Sequence, residues 1–344
     1  MGEILTNKAG LPLPLYNAIK NDTYERRGDI SVTTLINHPY RRMLMKYTDY
    51  EVDASEKIWS LLGQSVHAMI ERASGKHGKT EFVSEEKMEM NVNGKILTGT
   101  TDLREVLLER EMDTVVTGNA GNVLHDWKVT SVFNAMKSMK EGNKKWVQQL
   151  NTYAAILRST LGIEVTNLYI HAILRDWQKS KSKYNTEYPP NAIVTINIPV
   201  YKQESVMKFI NQKMQLHFDM EQKYLNGEEI EHCDADDRWA RPEVWAMMKP
   251  GRKSSLKNFE IKSPEDEHAA KLWYANKLAE VSGLEIEKRP GEDIMCVDYC
   301  PVNESCRYYK SRYGAGEQRK ERIGIDTGRN SGSESKPKLP EFKF

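Results

Sequence analysis

Residues 86–103, EKMEMNVNGKILTGTTDL, hold two runs of alternating apolar and polar side chains joined by Asn93-Gly94. Asn-Gly accepts the positive φ that a two-residue turn demands, so this stretch predicts an antiparallel hairpin. A lone hairpin is marginal in water and needs further strands or a helix against its apolar face. The neighbouring segments supply both. VLHDWKVTS (123–131) reads as another strand after a Gly/Asn loop at 118–122. KKWVQQLNTYAAILRST (144–160) reads as a helix with Val147, Leu150, Ala154 and Leu157 inward. VTNLYIHAIL (165–174) and AIVTINIPV (192–200) are strand candidates, and a helical run covers roughly 201–225.

Upstream, SVTTLINHPYRRMLMKY (31–47) predicts a short capped helix broken at Pro39. SEKIWSLLGQSVHAMIERA (55–73) predicts a helix capped by Ser55, with Leu62, Val66, Met69, Ile70 and Ala73 as its apolar stripe. The order helix, strands, helix, strand, strand, helix predicts an α/β fold, a mixed sheet with helices on its faces.

The strand at 123–131 carries an unusual triplet. Asp126 and Lys128 fall on one face, with Val123, Trp127 and Val129 on the other. An unpaired charge is costly to bury, so the charged face is either solvated or a site. The triplet alone decides nothing, because five more acid-x-Lys triplets begin at Glu85, Glu221, Glu260, Glu334 and Glu341. Its surroundings raise it. Asp102 ends the second hairpin run, and two carboxylates on adjacent strands repel each other unless a divalent cation lies between them. Mg²⁺ suits such a pair because it keeps several waters and shares its shell with substrate phosphate. The Trp127 carbonyl is a further candidate ligand, and Lys128 would orient or activate a water and offset transition-state charge. His67, on the preceding helix, would add an imidazole, which favours Mn²⁺ over Mg²⁺. Gln149 and Tyr153, four apart on one helix, would hold a scissile phosphate or position Lys128. Taken singly, His67, Gln149 and Tyr153 are ordinary helix residues.

Taken together and in order, GQSVH (63–67), GTTD (99–102), DWK (126–128) and QLNTY (149–153) resemble the RecB-like branch of the PD-(D/E)xK nucleases. Within it the likeness is to phage exonuclease-like members and to the CRISPR-associated and AddB-type iron–sulfur nucleases. The resemblance spans about 31–225 and implies a restriction-endonuclease-like core and metal-dependent hydrolysis of DNA from its ends. It implies His67, Asp102 and Asp126 as metal ligands, Lys128 as catalytic lysine, and Gln149 and Tyr153 as active-site or DNA-end contacts. Recombination, repair or end processing in a bacterial or phage-infected cell is the implied setting. The competing reading is a catalytically weak DNA-end-binding or recombination adaptor protein; the intact Asp102, Asp126 and Lys128 argue against it.

Four cysteines occur, Cys233, Cys296, Cys300 and Cys306, all in the last third. In a reducing compartment such a cluster reads as metal binding before disulfides. Zinc accepts four thiolates but usually through two close pairs, and the second pair is missing. A [4Fe–4S] cluster tolerates uneven spacing and suits Cys300-Pro301, so it is preferred, with Zn²⁺ as the alternative. The iron–sulfur relatives implied above carry their fourth cysteine before the Gly-xxx-His helix. Here Cys233 must substitute, so the centre would brace only 226–310, a structural role.

Lys+Arg number 50 against 49 Asp+Glu, so any nucleic-acid surface must be a local patch. Lys137, Lys140, Lys144 and Lys145 are candidates for phosphate contacts, and Trp177 to Tyr184 for a stacking platform. Trp239 and Trp245 read equally as core of a small domain. No stretch approaches a membrane span and the start lacks a secretory layout, so a cytoplasmic protein is expected. The predicted organisation is an irregular lead-in (1–30), a nuclease core (31–225), a four-cysteine region (226–310) and a disordered tail (311–344). KLPEFKF (338–344) is a candidate peptide for a recombination or single-strand-binding partner.

Overall fold

The computed structural model describes residues 2–22, 27–108 and 119–314, and the chain divides between Glu231 and His232 into two units. The first holds β1 (Glu3–Thr6), α1 (Leu13–Lys20), β2 (Ile30–Ser31), α2 (Val32–Leu35), α3 (Pro39–Tyr47), β3 (Tyr50–Asp53), α4 (Ile58–Ile70) and β4 (Gly75–His77). It continues with β5 (Thr80–Val92), β6 (Lys95–Leu108), β7 (Asn119–Thr130), α5 (Val132–Glu141), α6 (Lys144–Leu161), β8 (Val165–Leu174), α7 (Lys179–Tyr184), β9 (Ile193–Ile198) and α8 (Gln203–Leu225).

The hairpin forms as expected. Asn93 and Gly94 both take positive φ, 51° and 81°, and β5 and β6 pair from Val92–Lys95 back to Thr80–Leu107. β7 adds antiparallel to β6, β8 parallel to β7, and β9 antiparallel to β8. The sheet order is β4-β5-β6-β7-β8-β9, with β2 added parallel to β6. A parallel neighbour requires a crossover, and α5 and α6 provide it. The result is a mixed α/β sheet flanked by helices.

Helix α6 fixes one face of this sheet. Asn143 caps it by accepting the Trp146 N–H, and Gly162 ends it in the left-handed region at φ 66°. Leu150, Ile156 and Leu157 are fully enclosed with Leu124, Leu168 and Ile170 of the strands and Ile210 of α8. The enclosed Leu and Ile side chains each contribute on the order of 1.5–3 kcal/mol by leaving water.

Several expectations are corrected. Residues 1–30 are not irregular throughout: β1 pairs in parallel with β3, and Pro12 leads into α1. That pairing joins segments 47 apart, as Thr6 to Asp53, which local periodicity cannot report. Pro39 does not merely break a helix; it opens α3 at the position where its missing N–H is harmless. Ser55 is not the cap before α4; Asp53 accepts the Ser55 N–H instead and starts a short 3₁₀ turn at Ala54–Lys57. The stripe assigned inward on α4 is not buried: no residue of this apolar helix is, and Leu62 and Met69 are 41% and 61% exposed. Lys137 and Lys140 lie on helix α5.

The second unit contains α9 (Ala235–Arg238), β10 (Ala240–Arg241), β11 (Glu243–Met248), β12 (Lys257–Ile261), α10 (Pro264–Leu278), β13 (Glu285–Arg289), β14 (Glu292–Asp293) and α11 (Arg307–Tyr313). Strands order as β12-β11-β13, all antiparallel, around Trp245, Met247, Ala270 and Leu284. Trp245 is thus core, whereas Trp239 is 46% exposed. Residues 311–313, expected to be disordered, belong instead to α11, which ends at the buried Tyr313; the rest of the expected tail from 315 lies outside the described residues. The KLPEFKF segment lies outside the described residues. Among those described, no helix is long and apolar enough to cross a membrane.

Candidate functional site

The acid pair assembles where β6 and β7 run side by side. The register Leu103 to His125 places Asp102 next to Asp126, and the Trp127 N–H donates to Asp102 Oδ2 at 2.8 Å. Asp126 is 1% exposed, under α6, and its Oδ1 accepts from Gln149 Nε2 at 3.2 Å. The Lys128 ammonium lies 2.6 Å from Asp126 Oδ2, off the line of a hydrogen bond, so that oxygen has a counter-charge but no donor. His67 Nδ1 stands 3.5 Å from Asp102 Oδ1 and 3.9 Å from Glu85 Oε1.

Gln149 and Tyr153 are buried, at 7% and 4% exposure. The Gln149 amide donates also to Tyr153 Oη at 3.1 Å, so α6 presents one polar couple to Asp126. Gly99 lets the tyrosine in. A Cβ at this position would sit 2.9 Å from Tyr153 Cε1, closer than real Cβ atoms come, and a tight 3.3 Å from the Met88 methyl. The glycine of GTTD therefore makes room for the ring that supports Gln149.

The electrostatics are unbalanced. Burial first, and then the facing Asp126 carboxylate, push the Asp102 carboxyl far above the usual range, against the pull of Lys128 and the Trp127 N–H. Glu85 is also raised, by burial first and by Glu71, with His67 and Lys87 opposing. Lys128 opposes the rise at Asp102, and His67 and Lys87 oppose it at Glu85, yet both carboxyls stay raised. Such a site binds a proton or another cation readily.

Glu85 is a site residue that sequence reading missed, dismissed with the accidental acid-x-Lys triplets. Its backbone φ of 47° is rare for a residue with a Cβ and costs roughly 1–2 kcal/mol. No one-dimensional signal marks that conformation. Near the site, Arg104 holds Glu86 with two nitrogens at 2.7 and 2.8 Å and donates to Asn122 Oδ1 at 2.9 Å. This buried network joins β5, β6 and β7 and fixes their relative positions.

A cleft of about 570 Å³ opens onto His67, Glu85, Trp127 and Lys128, with Trp59, Gly63 and Gln64 of α4 along its wall. Of the basic residues expected to meet phosphate, Lys145 donates to Asn37 Oδ1 at 2.6 Å and Lys137 stands 3.8 Å from Glu141. Trp177 is no stacking platform. Its indole N–H donates to the Pro189 carbonyl at 2.8 Å and its ring packs on Val132, Ala135 and Leu174. Tyr184 is 89% exposed.

The site's donors match a hard divalent cation in type, with two buried carboxylates short of positive charge and an imidazole beside them. Their placement is a separate matter: among the described residues, no group of three or more His, Cys, Asp or Glu side chains stands ready to hold a metal ion. That applies equally to the cysteines. Burial first, then Cys300, Asp293, Cys233 and Cys306, push the Cys296 thiol up to about 12, so the other three thiols lie within electrostatic reach of Cys296. Cys306 also caps α11, its Sγ accepting the Tyr309 N–H at 3.5 Å. Beside them the buried Asp293 accepts from Arg238 at 3.1 Å, Tyr308 at 2.8 Å and Tyr313 at 3.0 Å.

No known family's sequence profile matches this chain, and no curated protein is detectably similar. Among solved structures, the crystal structure of SSO0001 is similar over 59% of this chain and 84% of that one, with 16% identity and a TM-score of 0.35.

Proposed function

We propose that the first unit is a restriction-endonuclease-like, RecB-type nuclease core that hydrolyses phosphodiester bonds at DNA ends. The observation that carries this reading is the buried Asp102/Asp126 pair, backed by Gln149 and faced by Lys128 and His67. A divalent cation held by Asp102 and Asp126, with His67 beside them, would supply Lewis acidity at the phosphoryl oxygen and an acidified water. The Trp127 N–H and the Gln149 amide each hold one oxygen of the two carboxylates, Asp102 Oδ2 and Asp126 Oδ1. Lys128 offsets negative charge that builds on the phosphoryl group. A second proposal concerns the other unit: the four cysteines hold one structural iron–sulfur centre, or zinc, with no part in hydrolysis. Metal and sulfide analysis of anaerobically purified protein decides between these and a metal-free thiol cluster.

The direct test uses end-labelled linear and closed circular DNA with Mg²⁺, Mn²⁺ or EDTA, beside Asp126→Ala. Metal-dependent loss of linear DNA that vanishes in the variant supports the reading. Binding of DNA ends without cleavage by either protein would replace it with an end-binding factor.

A further inference from the structure

Helix α4 is more apolar than its packing explains. It buries no residue, and its Trp59 is 55% exposed, on the helix that also carries His67. Trp59, Gly63 and His67 recur every four residues and all line the cleft. Eight residues of helix place Trp59 about 12 Å from His67 along the axis, at the outer end of the same wall.

The exposed indole is held on one side. The Arg175 guanidinium carbon lies 4.3 Å from its ring centroid. Arg175 itself is fixed at the end of β8, its N–H bonded to the Thr130 carbonyl at 3.0 Å where β7 ends. A cation over an indole is attractive and limits the ring's rotamers. More than half of the Trp59 surface stays accessible, enough for one more planar partner. Arg175 supplies a cation at that position, and Lys128 lines the same cleft, as a ligand with a phosphate backbone requires.

Resting on the nuclease reading of the same cleft, we propose that Trp59 and Arg175 form a stacking site for an unpaired nucleobase, so that the substrate enters as single-stranded DNA or a frayed end. A base within a duplex keeps its faces covered by its neighbours and cannot lie on Trp59. Stacking is indifferent to base identity because every base has a π-face. The site therefore selects strandedness without selecting sequence. The stacking ring belongs to α4, and the segment around Trp177 contributes the Arg175 guanidinium against it.

The test measures binding in EDTA, where nothing is cut, using a short oligothymidine, an abasic strand of equal length and a blunt duplex. Wild-type protein is expected to prefer oligothymidine over the abasic strand. Trp59→Ala should weaken oligothymidine binding roughly 5- to 150-fold, equivalent to the ~1–3 kcal/mol of one base–aromatic stack. It should leave abasic binding unchanged, while Trp59→Phe keeps most of the preference. The inference is overturned if Trp59→Ala lowers both strands equally or neither. It is also overturned if blunt duplex binds as tightly as oligothymidine with the same dependence on Trp59. Cleavage of DNA with no role for Trp59 removes this inference and leaves the nuclease standing. Absence of both binding and cleavage in wild-type protein removes both.

Discussion

Glu221 of α8 is 5% exposed and gathers three side chains of α3, with Arg42 at 2.9 Å, Tyr47 Oη at 2.6 Å, and Lys46. Burial works to raise its pKa, but Lys46, Tyr47 and Arg42 together outweigh burial and hold it at about 2 against an ordinary 4.5. A depressed carboxylate contributes stability that is fully present above its unfolded value and is lost as pH falls through the folded one. The window for Glu221 is therefore pH 4.5 down to about 2. At ~1.4 kcal/mol per pH unit the gap corresponds to roughly 3 kcal/mol. Lys46 is 43% exposed and screened by water, so we take about 2–3 kcal/mol. Glu221→Gln should be less stable than wild type by that amount at neutral pH, and the two should converge near pH 2. Urea unfolding at several pH values reads the difference, in which the other carboxylates cancel. A gap between the two proteins that stays constant from pH 7 to pH 2 would refute the reasoning, since packing alone would then account for it.

Gly99→Ala should cost about 1–3 kcal/mol by overpacking against Tyr153 and Met88, measured by thermal unfolding, and Tyr153→Ala in the same chain should recover part of it. Lys128→Ala should lower the rate of DNA hydrolysis by roughly 10²–10³, the scale of one electrostatic stabiliser, and an unchanged rate would sink its assignment. Asp293→Ala strands Arg238 and two tyrosine hydroxyls in the second unit, and should cost about 3–5 kcal/mol there, read by hydrogen exchange.

What was legible in the sequence was local. Asn93-Gly94 marked the hairpin because its backbone demand is written in two adjacent residues, and α6 was read from the spacing of Val147, Leu150, Ala154 and Leu157. Asp102, Asp126, Lys128, Gln149 and Tyr153 were found through order along the chain, and the structure brings them together. What escaped depends on partners far away or on backbone shape. β1 has no signature apart from β3, Glu85 opens a triplet that in sequence looks like any other while its φ and its neighbours carry no sequence mark, and α4 reads as an inward helix because its composition fits one. The small sheet β12-β11-β13 was not anticipated, since Glu, Lys and Arg fill β13 and mask its alternation.

The grip of Glu221 on α3 spans 179 positions of chain, from Arg42. During synthesis α3 emerges long before α8 exists, so it waits without this partner until most of the first unit has been made. Contacts that close so long a loop are costly in chain entropy and tend to form after the hairpin and α6 have condensed. Weakening them should then leave the rate of folding nearly unchanged and speed unfolding, so this ion cluster sets how long the folded chain persists more than how quickly it arises.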